Sequence, residues 1–101
     1  MVWKGLPLAI FGSGGISKEV YCLIKEITNI NNKIFDFIGF IGERESEVGN
    51  EIIDGYKIVS CDDEIIEFTS KYKLIGLVIP IGNPKIKSSI YDKVSNISNV
   101  V

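Results

Sequence analysis

Apolar positions fall in blocks separated by polar or glycine-rich stretches, and each block has its own period. "PLAIFG" at 7–12 is a short continuous apolar run ending in glycine, the pattern of a fully buried strand. Residues 17–28 place Val20, Leu23, Ile24 and Ile27 at i, i+3, i+4 and i+7, which predicts a helix with those four on its inner face. "NINNK" at 29–33 ends that helix, because Asn tolerates the left-handed cap conformation. "IFDFIGFIG" at 34–42, rich in aromatic and β-branched residues, predicts a second strand.

The stretch "ERESEVGN" at 43–50 is polar and irregular. Asp54-Gly55 then lies between two short apolar runs, the signal of a tight turn, and Lys57–Ser60 enters a third strand. Asp62 or Asp63 is placed to cap a helix over about 63–71, with Ile65 and Ile66 inward and Phe68 beside them. "LIGLVIPIG" at 74–82 is the most apolar block, and its continuity predicts burial on both faces at the centre of a parallel sheet. Asn83 is a good helix N-cap and Pro84 suits the first helical position; Ile86, Ile90, Val94 and Ile97 mark the inner stripe that follows. The order β-α-β-turn-β-α-β-α predicts an α/β fold: an open parallel sheet of about four strands flanked by helices.

Length and composition set the limits of this picture. The 101 residues suffice for one domain, and 46% hydrophobic residues suffice for its core. No apolar run approaches the roughly 18–20 residues of a membrane span. The N-terminus carries one Lys and then a strand-like segment in place of a leader's long apolar region, so the chain reads as cytoplasmic. The last residues, "SNISNVV", lack a polar tail and read as entering a further segment of a longer protein. Cys22 and Cys61 form no C-x-x-C pattern and read as reduced thiols. Histidine is missing altogether, which excludes Ser-His-Asp and Cys-His catalysis, His-based zinc sites and a His general base within this chain.

Net charge is −2, unevenly spread: residues 43–67 sum to −7 and residues 68–101 to +4. Most of those acids read as a solvated face. No basic stripe with interleaved aromatics occurs, so a nucleic-acid partner is not expected.

Candidate chemistry concentrates in "AIFGSGGISKEV". Gly12, Gly14 and Gly15 lie between a strand and a helix, the context a phosphate-binding loop requires. Glycine there admits backbone angles a side chain forbids and lets the chain approach a pyrophosphate, toward which the helix's first N–H groups point. Lys18 adds a cation in the first turn. The match to G-x-G-x-x-G is incomplete, because its last position is Ser17. The acid expected on a ribose about 20 residues on is Glu43 at the nearest suitable place, later than the spacing asks. A tight βα turn without a ligand is the competing reading of the same glycines. Gly82-Asn83-Pro84 follows the last strand, and if the first and fourth strands are neighbours both loops open on one crevice. Lys85 and Lys87, one turn into that helix, are placed to neutralise phosphate or to remain solvated.

Taken together, "AIFGSGGISKEV", "FIGFIGERESEVGNEIIDGYKIV" and "LVIPIGNPKIKSSIYDKV" resemble the N-terminal domain of the PglD and sialic-acid O-acetyltransferase (NeuD-like) family over nearly the whole chain. The resemblance implies a Rossmann-like domain that binds a nucleotide sugar, typically a UDP-linked amino sugar. It also implies a downstream left-handed β-helix, outside this chain, that binds acetyl-CoA, supplies the catalytic histidine and assembles as a homotrimer. By the same resemblance Gly12, Ser13, Gly14 and Gly15 form the ligand loop, followed by Ile16. Glu43 takes the second place of an acidic pair that helps hold the nucleotide, and Gly82 and Asn83 form a second ligand-facing loop. Ile16 stands where the family carries histidine, and Gly42 stands in place of the pair's first acid.

The function expected is therefore that of a substrate-binding domain of a sugar O- or N-acetyltransferase, with no catalytic residue, cofactor or metal of its own. Two alternatives stay open: an NAD(H)- or CoA-binding Rossmann sensor module, and a ligand-free structural domain.

Overall fold

The first strand, β1 (Leu6–Phe11), sends alternate side chains into two apolar layers, and that alternation organises the fold. This computed structural model describes residues 5–30 and 34–100. After β1 come α1 (Gly15–Ile30), β2 (Phe35–Gly42), a 3₁₀ turn at Glu45–Glu47, β3 (Glu51–Ile53) and β4 (Tyr56–Cys61). A second 3₁₀ turn at Asp62–Glu64 leads into α2 (Ile65–Thr69), followed by β5 (Gly76–Val78) and α3 (Pro84–Ser95).

The sheet has the order β3-β4-β2-β1-β5. The four strands β4, β2, β1 and β5 run parallel, and β3 adds a short antiparallel edge. Asp54 (φ 52°) and Gly55 (φ 84°) both take positive φ, the geometry of a two-residue hairpin turn, so the predicted turn joins β3 to β4. Leu8 and Ile10 of β1 pack with Phe40, Ile58, Tyr21 and Ile24 on the α1 side. Ala9 and Phe11 pack with Ile41, Ile65, Phe68, Ile75 and Val94 on the side covered by α2 and α3. The result is a parallel sheet between two helical layers. Gly39 of β2 lies so close to β4 that a Cβ there would sit 2.5 Å from the Lys57 carbonyl oxygen. The registers on both sides of β2 shift at this point, between Leu8 and Ala9 on β1 and between Phe40 and Ile41 on β2.

Four expectations are corrected. The inner face of α1 is Ser17, Tyr21 and Ile24, while Leu23 is 59% exposed and Ile27 also faces outward. Ser17, Tyr21 and Thr28 sit inward because each polar atom has a partner: Ser17 donates to the Phe11 carbonyl, Tyr21 to Asp54, and Thr28 to the Ile24 carbonyl. In α2 it is Ile65, Phe68 and Thr69 that are buried, and Ile66 is 61% exposed. Neither Asp62 nor Asp63 caps a helix through its side chain; Asp62 instead receives Lys93 of α3 on both its carbonyl and its carboxylate. The apolar block at 74–82 is neither a long strand nor central. β5 is three residues at the side of β1, and Pro80, which has no N–H to give a ladder, follows it closely. Its continuity has another cause, since Leu77, Ile79 and Ile81 pack on one layer and Val78 on the other.

Asn83 and Pro84 open α3 as the sequence reads, with Asn83 Oδ1 accepting from the backbone N–H of Lys85 (3.0 Å) and Ile86 (3.3 Å). Asn99 ties the chain after α3 to the end of α2, donating to the Thr69 and Tyr72 carbonyls. The proposed stop of α1 at "NINNK" falls largely on residues 31–33, outside the described residues. Among the described residues, no helix is long and apolar enough to cross a membrane.

Candidate functional site

The carboxyl ends of β1, β2, β4 and β5 open onto a single crevice of about 940 Å³. Its position follows from the topology. The connection from β1 to β2 passes through α1 on one face, and the connection from β4 to β5 passes through α2 on the other. The loops after β1 and β5 therefore diverge, and a cleft forms at this switch point.

The β1–α1 loop forms one wall, with Gly12, Ser13, Gly14, Gly15, Ile16 and Ser17 all lining it. Gly12 has φ +89°, a left-handed angle that a side chain strains, and its N–H donates to the Ile41 carbonyl at 2.8 Å. A Cβ on Gly12 would lie 3.1 Å from Ser17 Oγ. That hydroxyl is buried and donates back to the Phe11 carbonyl at 3.2 Å, so the residue in the third-glycine position closes the loop from beneath. By contrast, a Cβ on Gly14 or Gly15 would meet nothing within 4 Å, so these two leave open space in front of the first turn of α1. That turn contains no acid, and its leading N–H groups have no partner within the helix.

Opposite this wall, α3 contributes Lys85, Ile86, Ser89 and Ile90, and the segment after β5 contributes Pro80 and Ile81. Phe11 and Ile41 form an apolar base. On the β2 and β4 side stand Gly42, Glu43, Glu47 and Asp62. Glu47 Oε1 accepts from the backbone N–H of Glu43 (3.1 Å) and of Arg44 (3.0 Å), which holds its carboxylate over the end of β2. Asp62 is paired with Lys93 at 3.3 Å. The crevice is thus polarised: amide dipoles and Lys85 at one end, carboxylates at the other. An arrangement of this kind suits an elongated ligand with an anionic centre, hydrogen-bond donors on one side of it and an apolar surface beneath.

Of the residues the sequence singles out, Gly12, Ser13, Gly14, Gly15, Ile16, Glu43 and Lys85 come together in this crevice. Gly82 and Asn83 do not line it; Gly82 is exposed and the Asn83 side chain is occupied as the α3 cap. Lys18 and Lys87 are exposed and lie off its walls. Sequence reasoning missed Ser17, Glu47 and Ser89. Glu47 had a signal: an acid at the third position of a helical turn is placed to accept backbone N–H groups ahead of it. Among the described residues, no group of three or more acidic or cysteine side chains converges to hold a metal ion.

A family model described as the PglD N-terminal domain matches residues 7–94. No curated protein matches the chain significantly. Seven solved chains do, among them the crystal structure of RSP, a Rex-family repressor, with a TM-score of 0.55 and 18% identity over 96% of this chain. The crystal structure of RSP in complex with beta-NADH is similar at a TM-score of 0.54 and 17% identity over 95% of this chain. In both cases the match covers 44% of the repressor chain, so this chain spans less than half of its structural neighbours' length. The likeness shows a shared Rossmann-like fold.

Proposed function

This chain belongs to the PglD N-terminal domain family, and on that premise we propose that its crevice binds the nucleotide part of a UDP-linked amino sugar for a sugar acetyltransferase. The observation that carries this reading is the β1–α1 loop. Gly14 and Gly15 leave open space before an acid-free helix start, and Lys85 lines the same crevice from α3. Backbone N–H groups and the helix dipole would hold the diphosphate, Lys85 would screen its charge, and the apolar base would carry the nucleoside. Ile16 stands at the rim where the attached sugar would pass, and it offers shape in place of a hydrogen bond.

The chain would act by presenting the sugar. Acetyl-CoA and the proton-transferring base would come from a further domain, in a trimeric assembly. Asn83 would support this site through the α3 cap, without touching the ligand.

The similarity to a repressor bound to beta-NADH favours a second reading, in which the same loop holds a dinucleotide. Competition calorimetry separates the two. UDP-N-acetylglucosamine is expected to bind, and NADH at equal concentration to leave that binding unchanged. Gly12→Val, which strains a left-handed residue and crowds Ser17, is expected to weaken UDP-sugar binding by about tenfold or more. Saturable NADH binding that displaces the UDP-sugar would reverse the assignment.

A further inference from the structure

Glu43 is the acid that follows β2 directly, but the geometry points to Glu47 as the residue that reads the ligand's ribose. We propose that the Glu47 carboxylate, held beside Gly42 at the end of β2, accepts a hydrogen bond from a vicinal diol.

Glu43 is exposed, and its own backbone N–H is one of the two that bind Glu47. Its side chain would have to be ordered by the ligand, at a cost in rotamer entropy. Glu47 is half-buried, whereas every other residue from 43 to 50 is exposed. Both of its side-chain hydrogen bonds among the described residues fall on Oε1, at 3.0 and 3.1 Å. The carboxylate is therefore fixed before any ligand arrives, and Oε2 retains its accepting capacity. An acceptor with a second, uncommitted oxygen suits a hydroxyl donor better than a phosphate, which it would repel.

Glu47 packs beside Gly42 at the end of β2. A Cβ at residue 42 would lie 3.1 Å from Ile58 Cγ2 and 3.4 Å from both Cβ and Oε1 of Glu47. A Cβ at residue 42 would thus touch Glu47 at ordinary contact distance, and Ile58 is the neighbour that would have to give. Gly42 ends β2 and Gly12 follows the neighbouring β1, and neighbouring strands lie about 4.8 Å apart. A ribose is the group one such step away from a diphosphate on the glycine loop. This inference rests on the nucleotide reading of the crevice.

Calorimetry with UDP and 2′,3′-dideoxy-UDP on wild type and Glu47→Gln tests it. Gln keeps an acceptor for the two backbone N–H groups and loses the charge. Wild type is expected to prefer UDP by about tenfold, the size of one charge-assisted hydrogen bond. Glu47→Gln is expected to lose most of that preference, while relief of the carboxylate's repulsion of the diphosphate shifts both ligands alike; an unchanged urea midpoint shows that the variant folds. A preference that survives Glu47→Gln, or one that only Glu43→Gln removes, would overturn the proposal. So would a wild type that binds both ligands equally. Failure of wild type to bind either ligand would instead overturn the nucleotide reading, and this inference with it.

Discussion

Tyr21 lies only 4% exposed in the apolar layer under α1, yet its hydroxyl reaches Asp54 Oδ2 at 2.8 Å, where Lys25 also donates at 3.1 Å. Burial, and then the Asp54 carboxylate, push the Tyr21 phenol up to about 12. The hydrogen bond from Tyr21, and then Lys25, hold the Asp54 carboxyl below its ordinary 3.8. The two shifts bound a stable window. A raised tyrosine contributes in full below its unfolded value near 10 and loses that contribution as pH rises toward about 12. A lowered aspartate contributes above 3.8 and loses its share as pH falls through that range. Tyr21→Phe is accordingly expected to be destabilising between about pH 5 and 9, with the gap to wild type narrowing at pH 3 and again above pH 10. Urea midpoints across that range measure it. Counting aliphatic residues cannot find such a residue, because Tyr21 is inward through a partner that lies 33 residues away. The glycine loop was legible for the opposite reason, since its residues are adjacent in sequence and their role depends on local backbone angles.

At the scale of elements, hydrophobic blocks located almost every strand and helix, while the faces those elements present were decided by topology. Ile16, Leu23, Ile27 and Ile30 lie on the outside of α1, with Ile30 88% exposed, although their spacing alone is that of a buried stripe. The sheet meets α1 along Ser17, Tyr21 and Ile24 because these pack over β1, β2 and β4. Two variants one residue apart express the difference. Ile24→Ala is expected to cost about 2–5 kcal/mol, a large part of the roughly 5–15 kcal/mol that holds a domain together. Leu23→Ala is expected to stay within about 0.5 kcal/mol of wild type. Thermal or urea unfolding of the pair settles the orientation of the helix. Topology decides β5 in the same way: its apolar run signals contact with two core layers and not a place in the middle of the sheet.

The whole molecule converts these local choices into one polarised crevice. Parallel strands deliver the carboxyl ends of β1, β2, β4 and β5 to the same edge, and the change of crossover side at β1 opens that edge. The glycine loop and Lys85 stand at the cationic end, with Glu43 and Glu47 at the other. Glu47 entered the site through a 3₁₀ turn inside a stretch that reads as irregular, which is why the sequence pointed to Glu43 alone. The most direct measurement of the central claim is a titration of the ¹⁵N-labelled chain with UDP, followed amide by amide. Saturable shifts are expected at Gly14, Gly15, Ile16 and Ser17, with smaller ones at Gly42, Glu43 and Lys85, and little change around Tyr21 and Asp54. No shift in the Gly12–Ser17 amides at millimolar UDP, or shifts centred away from the crevice, would contradict it.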